Sequence, residues 1–155
     1  MVQIVKADLS SVLYVARNMR EADTHEIFAT RWTDDIDSLA LEIIQSWGPI
    51  AYTAFTRDGV PAAVFGATAL WPGVWAVWMF ATDRFREVGK RVTRFALRGI
   101  LPAMLEAGCH RIEARSAASH HEAHRWMRVL GAKRGPELRQ FGRDKSDFVL
   151  FVWEF

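Results

Sequence analysis

The run Val74-Trp75-Ala76-Val77-Trp78-Met79-Phe80-Ala81 is apolar at every position, and it restricts the possible folds more than any other part of the chain. Read as a strand, it turns Trp75, Val77 and Met79 to one side and Ala76, Trp78 and Phe80 to the other. A strand that is apolar on both faces must be covered on both, so it belongs inside a sheet with helices packed against it. The next segment fits that place. A helical pattern runs from Phe85 or Arg86 to about Ala107, with Val92, Phe95, Ala96, Gly99, Ile100 and Ala103 as its inner stripe. Pro102 has no amide hydrogen and predicts a kink there. Gly108 ends the helix, and His110 to Arg115 reads as a second strand. Strand, helix, strand implies a parallel pair joined by a right-handed crossover.

The remaining segments surround this unit. Val2 to Lys6 alternates as a short strand, and Asp8 can cap a helix carrying Leu9, Val12, Leu13 and Ala16 on one stripe. Asp23 or Thr24 can cap a short second helix through Phe28. A third helix spans Asp34 to Trp47, with Ile36, Leu39, Ala40, Ile43 and Ile44 inward and Gly48-Pro49 as its stop. Ile50 to Thr56 and Val60 to Leu70 flank Arg57-Asp58-Gly59, and an Asp-Gly between apolar runs signals a hairpin. Beyond the crossover, Ser119 to Leu130 is helical and Gly131 caps it. Pro136 to Phe141 and Phe148 to Trp153 form a terminal hairpin around Gly142-Arg143-Asp144. The predicted class is α/β (α+β): one domain with a mixed sheet of about seven strands and flanking helices.

A chain of 155 residues that is half hydrophobic has ample material for one core. Its single cysteine, Cys109, permits no internal disulfide and reads as a small buried hydrophobe. No signal-peptide pattern or membrane-length apolar run is present, so a cytoplasmic protein is expected. A net charge of +2 argues against nucleic acid as the partner, although basic residues cluster at Arg84–Arg98 and Arg125–Arg143. A metal is not expected. His120, His121 and His124 cluster, with His120 and His124 on one helix face, but no Cys or further His beyond these three lies nearby in sequence to complete a site. The apolar strand Phe148 to Trp153 suggests strand pairing in a possible homodimer.

Two segments carry chemical potential. The helix start Arg86-Glu87-Val88-Gly89-Lys90-Arg91 offers a positive dipole end and basic side chains suited to a pyrophosphate. The helix His120-His121-Glu122-Ala123-His124-Arg125-Trp126-Met127 ends in Leu130-Gly131. These two segments, on that element order, resemble the cofactor half of the GNAT acyltransferases. In that family the turn reads Arg or Gln, two residues, Gly, one residue, then Gly or Ala. Arg86 and Gly89 match, while Arg91 stands where a small residue normally lets phosphates reach the backbone. Later the family commonly places Asn, then Ala, Tyr and Leu-Gly. This chain has His120, Ala123, Met127 and Leu130-Gly131.

The resemblance implies acetyl-CoA as cofactor, with an amine acceptor. Backbone groups of the Trp78–Ala81 strand, at Met79, Phe80 and Ala81, would hold the pantetheine arm beside His120, and Arg86, Val88, Gly89, Lys90 and Arg91 would hold the pyrophosphate. Met127 occupies the position of the usual Tyr, which protonates the departing thiolate, and a thioether has no proton to give. The general base is not evident; His25 and Glu26 can face the acceptor cleft. A narrower likeness rests on Asn18-Met19-Arg20-Glu21-Ala22-Asp23 with Glu26, Phe65-Gly66, Trp78 to Thr82, and Arg125-Trp126-Met127. These segments resemble the Gp13-like internal virion proteins of T7-like phages. That likeness implies a bacteriophage origin, favours Arg20 and Asp23 over the histidines on the acceptor side, and makes a host or virion protein an alternative partner.

Overall fold

The computed structural model describes residues 1–47 and 49–155, so Gly48 of the expected Gly48-Pro49 helix stop lies outside the described residues. The chain runs β1 (Gln3–Lys6), α1 (Leu9–Arg17), α2 (Glu21–Ala29), α3 (Ile36–Ser46), β2 (Ile50–Phe55), β3 (Pro61–Trp71) and β4 (Val74–Ala81). It continues with α4 (Phe85–Phe95), a π turn (Ala96–Ile100), α5 (Leu101–Glu106), β5 (Arg111–Ala117), α6 (His121–Val129), β6 (Lys133–Leu138) and β7 (Phe148–Glu154). The strands form one seven-stranded sheet in the order β1-β2-β3-β4-β5-β7-β6. All pairs are antiparallel except β4 with β5. The predicted mixed sheet with a central β4 is therefore present.

Both faces of the sheet are covered, as the apolar β4 requires. On one side Val12, Val15, Leu39 and Ile43 of α1 and α3 pack with Val64 and Phe80. On the other, Val88 and Val92 of α4 pack with Phe65 and Ala81, while Met104 and Met127 join Ile112, Phe151 and Trp153. Gly66 lets β3 cross this core, because a Cβ there would run into the Ile50 carbonyl and the Trp78 ring.

Several local expectations are corrected. In α1 the buried stripe is Val12, Val15 and Ala16, and Leu9 is exposed, because the Asp8–Ser11 capping box sets the helix phase. Neither Asp23 nor Thr24 caps α2: Arg20 is the cap residue, and Asp23 is buried one turn in. Ile44 is exposed, as is Trp71 at the end of β3. The long helix does not simply kink at Pro102. Leu101 N–H bonds back to Ala96 O five residues earlier, and the widened π turn precedes the proline that could not continue the α pattern. The extra residue rotates the inner face, leaving Gly99 and Ala103 exposed and Met104 buried. The terminal strands pair, but β7 lies between β5 and β6. Both its edges are used, so Phe148 to Trp153 offers no free edge for a second chain, and the sheet edges are β1 and β6.

Candidate active site

β4 and β5 begin as a parallel pair and then separate. Only Val74, Trp75 and Ala76 of β4 find partners, at Arg111, Ile112 and Glu113. Beyond them, among the described residues, Val77–Ala81 and Ala114–Ala117 face a gap. Backbone groups at such an opening need partners, and α2 supplies them. Ala81 N–H donates to the Asp23 carboxylate (2.7 Å), and Arg20 N–H donates to Ala81 O (2.9 Å). On the opposite lip, Ala117 N–H and the Ser116 hydroxyl donate to Glu26 at 2.9 and 2.8 Å. Asp23 and Glu26 are three residues apart, hence on one helix face. One short helix therefore holds both lips apart.

Cavities on the two sides of the sheet meet at this gap. A narrow one of about 140 Å³ lies on the α4–α6 side, where the π turn and α5 (Ala96, Ile100, Leu101) face His120, Ala123 and Met127 of α6. A broader groove of about 810 Å³ lies on the α2 side, bordered by Arg31, Trp32, Trp47, Glu113 and Phe141. Glu26, Val77, Trp78, Met79, Ala114 and Arg115 line both.

The polar residues at the gap form one network. Asp23 is 4% exposed, takes a bidentate bond from Arg20 (2.9 and 3.0 Å) and accepts from His120 Nε2 at 2.7 Å. Arg20 also lies over the Phe85 ring and near Glu122. Burial pushes the Glu26 carboxyl above the ordinary carboxylate value, against the opposing pull of His120 and the Ser116 and Ala117 bonds. For His120, burial disfavours the imidazolium. The Asp23 bond and the charges of Glu26 and Asp23 outweigh it and hold the ring above its ordinary value. The site thus places a carboxyl and an imidazole, both titrating above their ordinary values, at a slot where the two cavities meet.

The expected site residues divide. Met79, His120, Met127 and Glu26 converge on the gap. Phe80 does not: alternation turns its backbone toward β3, where it pairs with Val64, and its side chain is fully buried in the α1–α3 core. The backbone of Ala81 is occupied by Asp23 and Arg20. His25 faces away and pairs with Asp144 of the β6–β7 loop at 2.9 Å, because its helix turns Asp23 and Glu26 inward instead. Arg86, Lys90 and Arg91 are exposed on α4, whereas the Val88 side chain is fully buried. The segment is helical from Phe85, as the pattern predicts. Phe85 N–H bonds Thr82 O, Glu87 N–H bonds Arg84 O, and Arg84 pairs with Asp58 and Glu87. Gly89 sits mid-helix, and a Cβ there would meet nothing nearer than 3.4 Å, so packing does not demand glycine. The lining residue Arg115 and the Ser116–Glu26 link carried no motif and were not foreseen. Among the described residues no three His, Cys, Asp or Glu side chains form a metal-binding group. No helix is long and apolar enough to cross a membrane.

No protein-family model matches the chain, and no curated protein sequence is similar to it. Solved structures do match in fold. Ard1 from Thermoplasma volcanium is 16% identical with a TM-score of 0.75, over 99% of this chain and 97% of its own. A GNAT-superfamily phosphinothricin acetyltransferase from Sinorhizobium meliloti, in complex with AcCoA, is 14% identical with a TM-score of 0.74, over 99% and 88%. The ribosomal-protein-S18-alanine N-acetyltransferase from Escherichia coli is 15% identical with a TM-score of 0.67, over 99% and 94%. The phage likeness finds no counterpart among these three. The chain has the single-domain fold of the GNAT acetyltransferases.

Proposed function

We propose that the protein is an acyl-CoA-dependent N-acyltransferase in which an acceptor amine attacks acetyl-CoA directly. The observation that carries this reading is the parting of β4 and β5 after three paired residues, which joins the narrow cavity between the π turn and α6 to the α2 groove. Acetyl-CoA supplies the acyl group as an activated thioester. The residues present fit it. Alternation along β4 puts the N–H and C=O of Val77 and Met79 on the same edge as those of Ala81, where they can pair with the amides of a pantetheine arm. The α6 stripe His120, Ala123, Met127 and Leu130 forms the other wall. At Gly89 a Cβ would touch only the Phe85 ring, at 3.4 Å, and a mid-helix glycine costs about 1 kcal/mol, which a close approach of the phosphate end would account for. Phe85 and Glu87 already use their amides, so the phosphates fall to the side chains of Arg86, Lys90 and Arg91. Glu26, which lines both cavities, takes the proton from the amine. That a phosphinothricin acetyltransferase of this fold is found with AcCoA supports the donor. Calorimetry should register acetyl-CoA binding; no heat at millimolar ligand overturns the reading.

A second reading is favoured by Trp32, which is 99% exposed, and by exposed Phe141, both of which line the α2 groove. An aromatic pair so placed suits a protein partner. Here the protein would be a catalytically inert, phage-encoded member of the fold that binds a host or virion protein, in the host cytoplasm or the virion. Arg86→Ala and Gly89→Trp would then leave the phage phenotype intact while Trp32→Ala removes it; the reverse pattern supports the enzyme.

A further inference from the structure

Resting on the acyltransferase reading, we infer that His120 protonates the departing sulfur of CoA, positioned by Asp23, and that it replaces in this role the side chain at 127. Met127 lines the cavity but is a thioether without a proton. The titratable residues lining the cavity are Arg20, Asp23, Glu26, Arg115 and His120. The two guanidiniums do not release protons. Asp23 acts as acceptor toward Arg20 and the Ala81 amide, and Glu26 as acceptor toward Ser116 and Ala117. His120 is the one group in this set that can both carry a proton near neutrality and give it up.

The geometry suits the task. His120 is 6% exposed, at the N-cap of α6, and seven residues before Met127, two helical turns along the same face. Its Nε2–H donates to Asp23 at 2.7 Å, which fixes the ring and leaves Nδ1 to hold the transferable proton. The charged groups around it are Arg20, Asp23 and Glu26 from the α2 segment, Arg115 from β5, and Glu122, His121 and His124 on its own helix. The two carboxylates of α2 favour its cation, and Arg20 opposes it.

In the step, the amine nitrogen bonds to the acyl carbon and the C–S bond breaks with its electron pair on sulfur. His120 gives its proton to that sulfur, and Glu26 takes the proton from nitrogen. Return of that proton from Glu26 to His120 resets both groups, and the amide and CoA thiol leave with atoms and charge balanced.

The test needs no acceptor. CoA is bound to wild-type protein and to His120→Gln, and ionisation of its thiol is followed by ultraviolet thiolate absorbance across pH. An imidazolium at the sulfur lowers the bound thiol's titration by about one pH unit in wild type relative to the variant. By reciprocity, the His120 ring, followed by NMR in wild type alone, titrates higher with CoA than with desulfo-CoA. Asp23→Asn lowers the ring's titration, a change that a purely structural aspartate would not produce. Identical thiol titrations in wild type and variant, with equal ring titrations for CoA and desulfo-CoA, overturn the assignment alone. Failure of wild type to bind CoA overturns the acyltransferase reading, and this proposal with it.

Discussion

Glu26 and Asp23 sit on one face of a short helix yet perform different tasks, and the difference is environmental. Asp23 is saturated by Arg20, His120 and the Ala81 amide, whereas Glu26 reaches the rim of both cavities. Glu26→Gln should lower turnover by about 10²–10⁴-fold and leave acetyl-CoA affinity unchanged, measured by steady-state kinetics and calorimetry. In the proposed role Glu26 works only when ionised. Because burial raises its pKa above the ordinary 4.5, turnover should fall as pH drops through that raised value, on a limb absent from the variant. The two buried histidines of α6 differ in sign. His124 donates Nε2–H to Ala117 O at 2.9 Å, and burial depresses its pKa below the ordinary 6.5. Its contribution to stability is therefore full above pH 6.5 and lost as pH falls through the depressed value. Urea unfolding across this range should show an acid limb that His124→Gln reduces. The raised pKa of His120 gives the opposite slope, with stability present below pH 6.5 and lost as pH rises through the folded value.

At the scale of elements, the separation of β4 from β5 depends on α2 acting as a wedge. Helix propensity explains little of α2, whose first turn has no side-chain cap. What holds it is the set of bonds to Ala81, Ser116 and Ala117. Asp23→Ala strands the Arg20 guanidinium and the Ala81 amide in a buried place. It should destabilise the protein by about 3–5 kcal/mol, measured by urea unfolding. The π turn is the matching device on the other face: one residue out of phase with the α pattern brings Ala96, Leu97, Ile100 and Leu101 to the cavity wall. Periodicity could not show it, because a period-3.6 reading carries Ala96 and Ile100 forward to Gly99 and Ala103, and both of these are exposed.

For the whole molecule, a donor bound as proposed would contact β4, the π turn and α6 together and so stabilise the folded state by mass action. Acetyl-CoA at a hundred times its Kd should add about 2.7 kcal/mol. For a domain of 155 residues that raises Tm by about 5–10 °C, measurable by scanning calorimetry. CoA should match this shift, and adenine alone should not.

The amino-acid sequence by itself determined the central apolar strand, the crossover, the class of the sheet and the helix end at Leu130-Gly131. These follow from period, turn chemistry and two-sided burial, which are local properties. It also marked Glu26, His120 and Met127, but without their partners. Only the tertiary structure decided that Glu26 faces the gap while His25 turns out to Asp144, and that Phe80 belongs to the core. It alone joined Asp23 to His120, 97 positions apart. The physical reason is that a carboxylate's task depends on which charges, amides and cavities surround it, and those neighbours come from α2, β4, β5 and α6, which approach one another only when the sheet has closed around its gap.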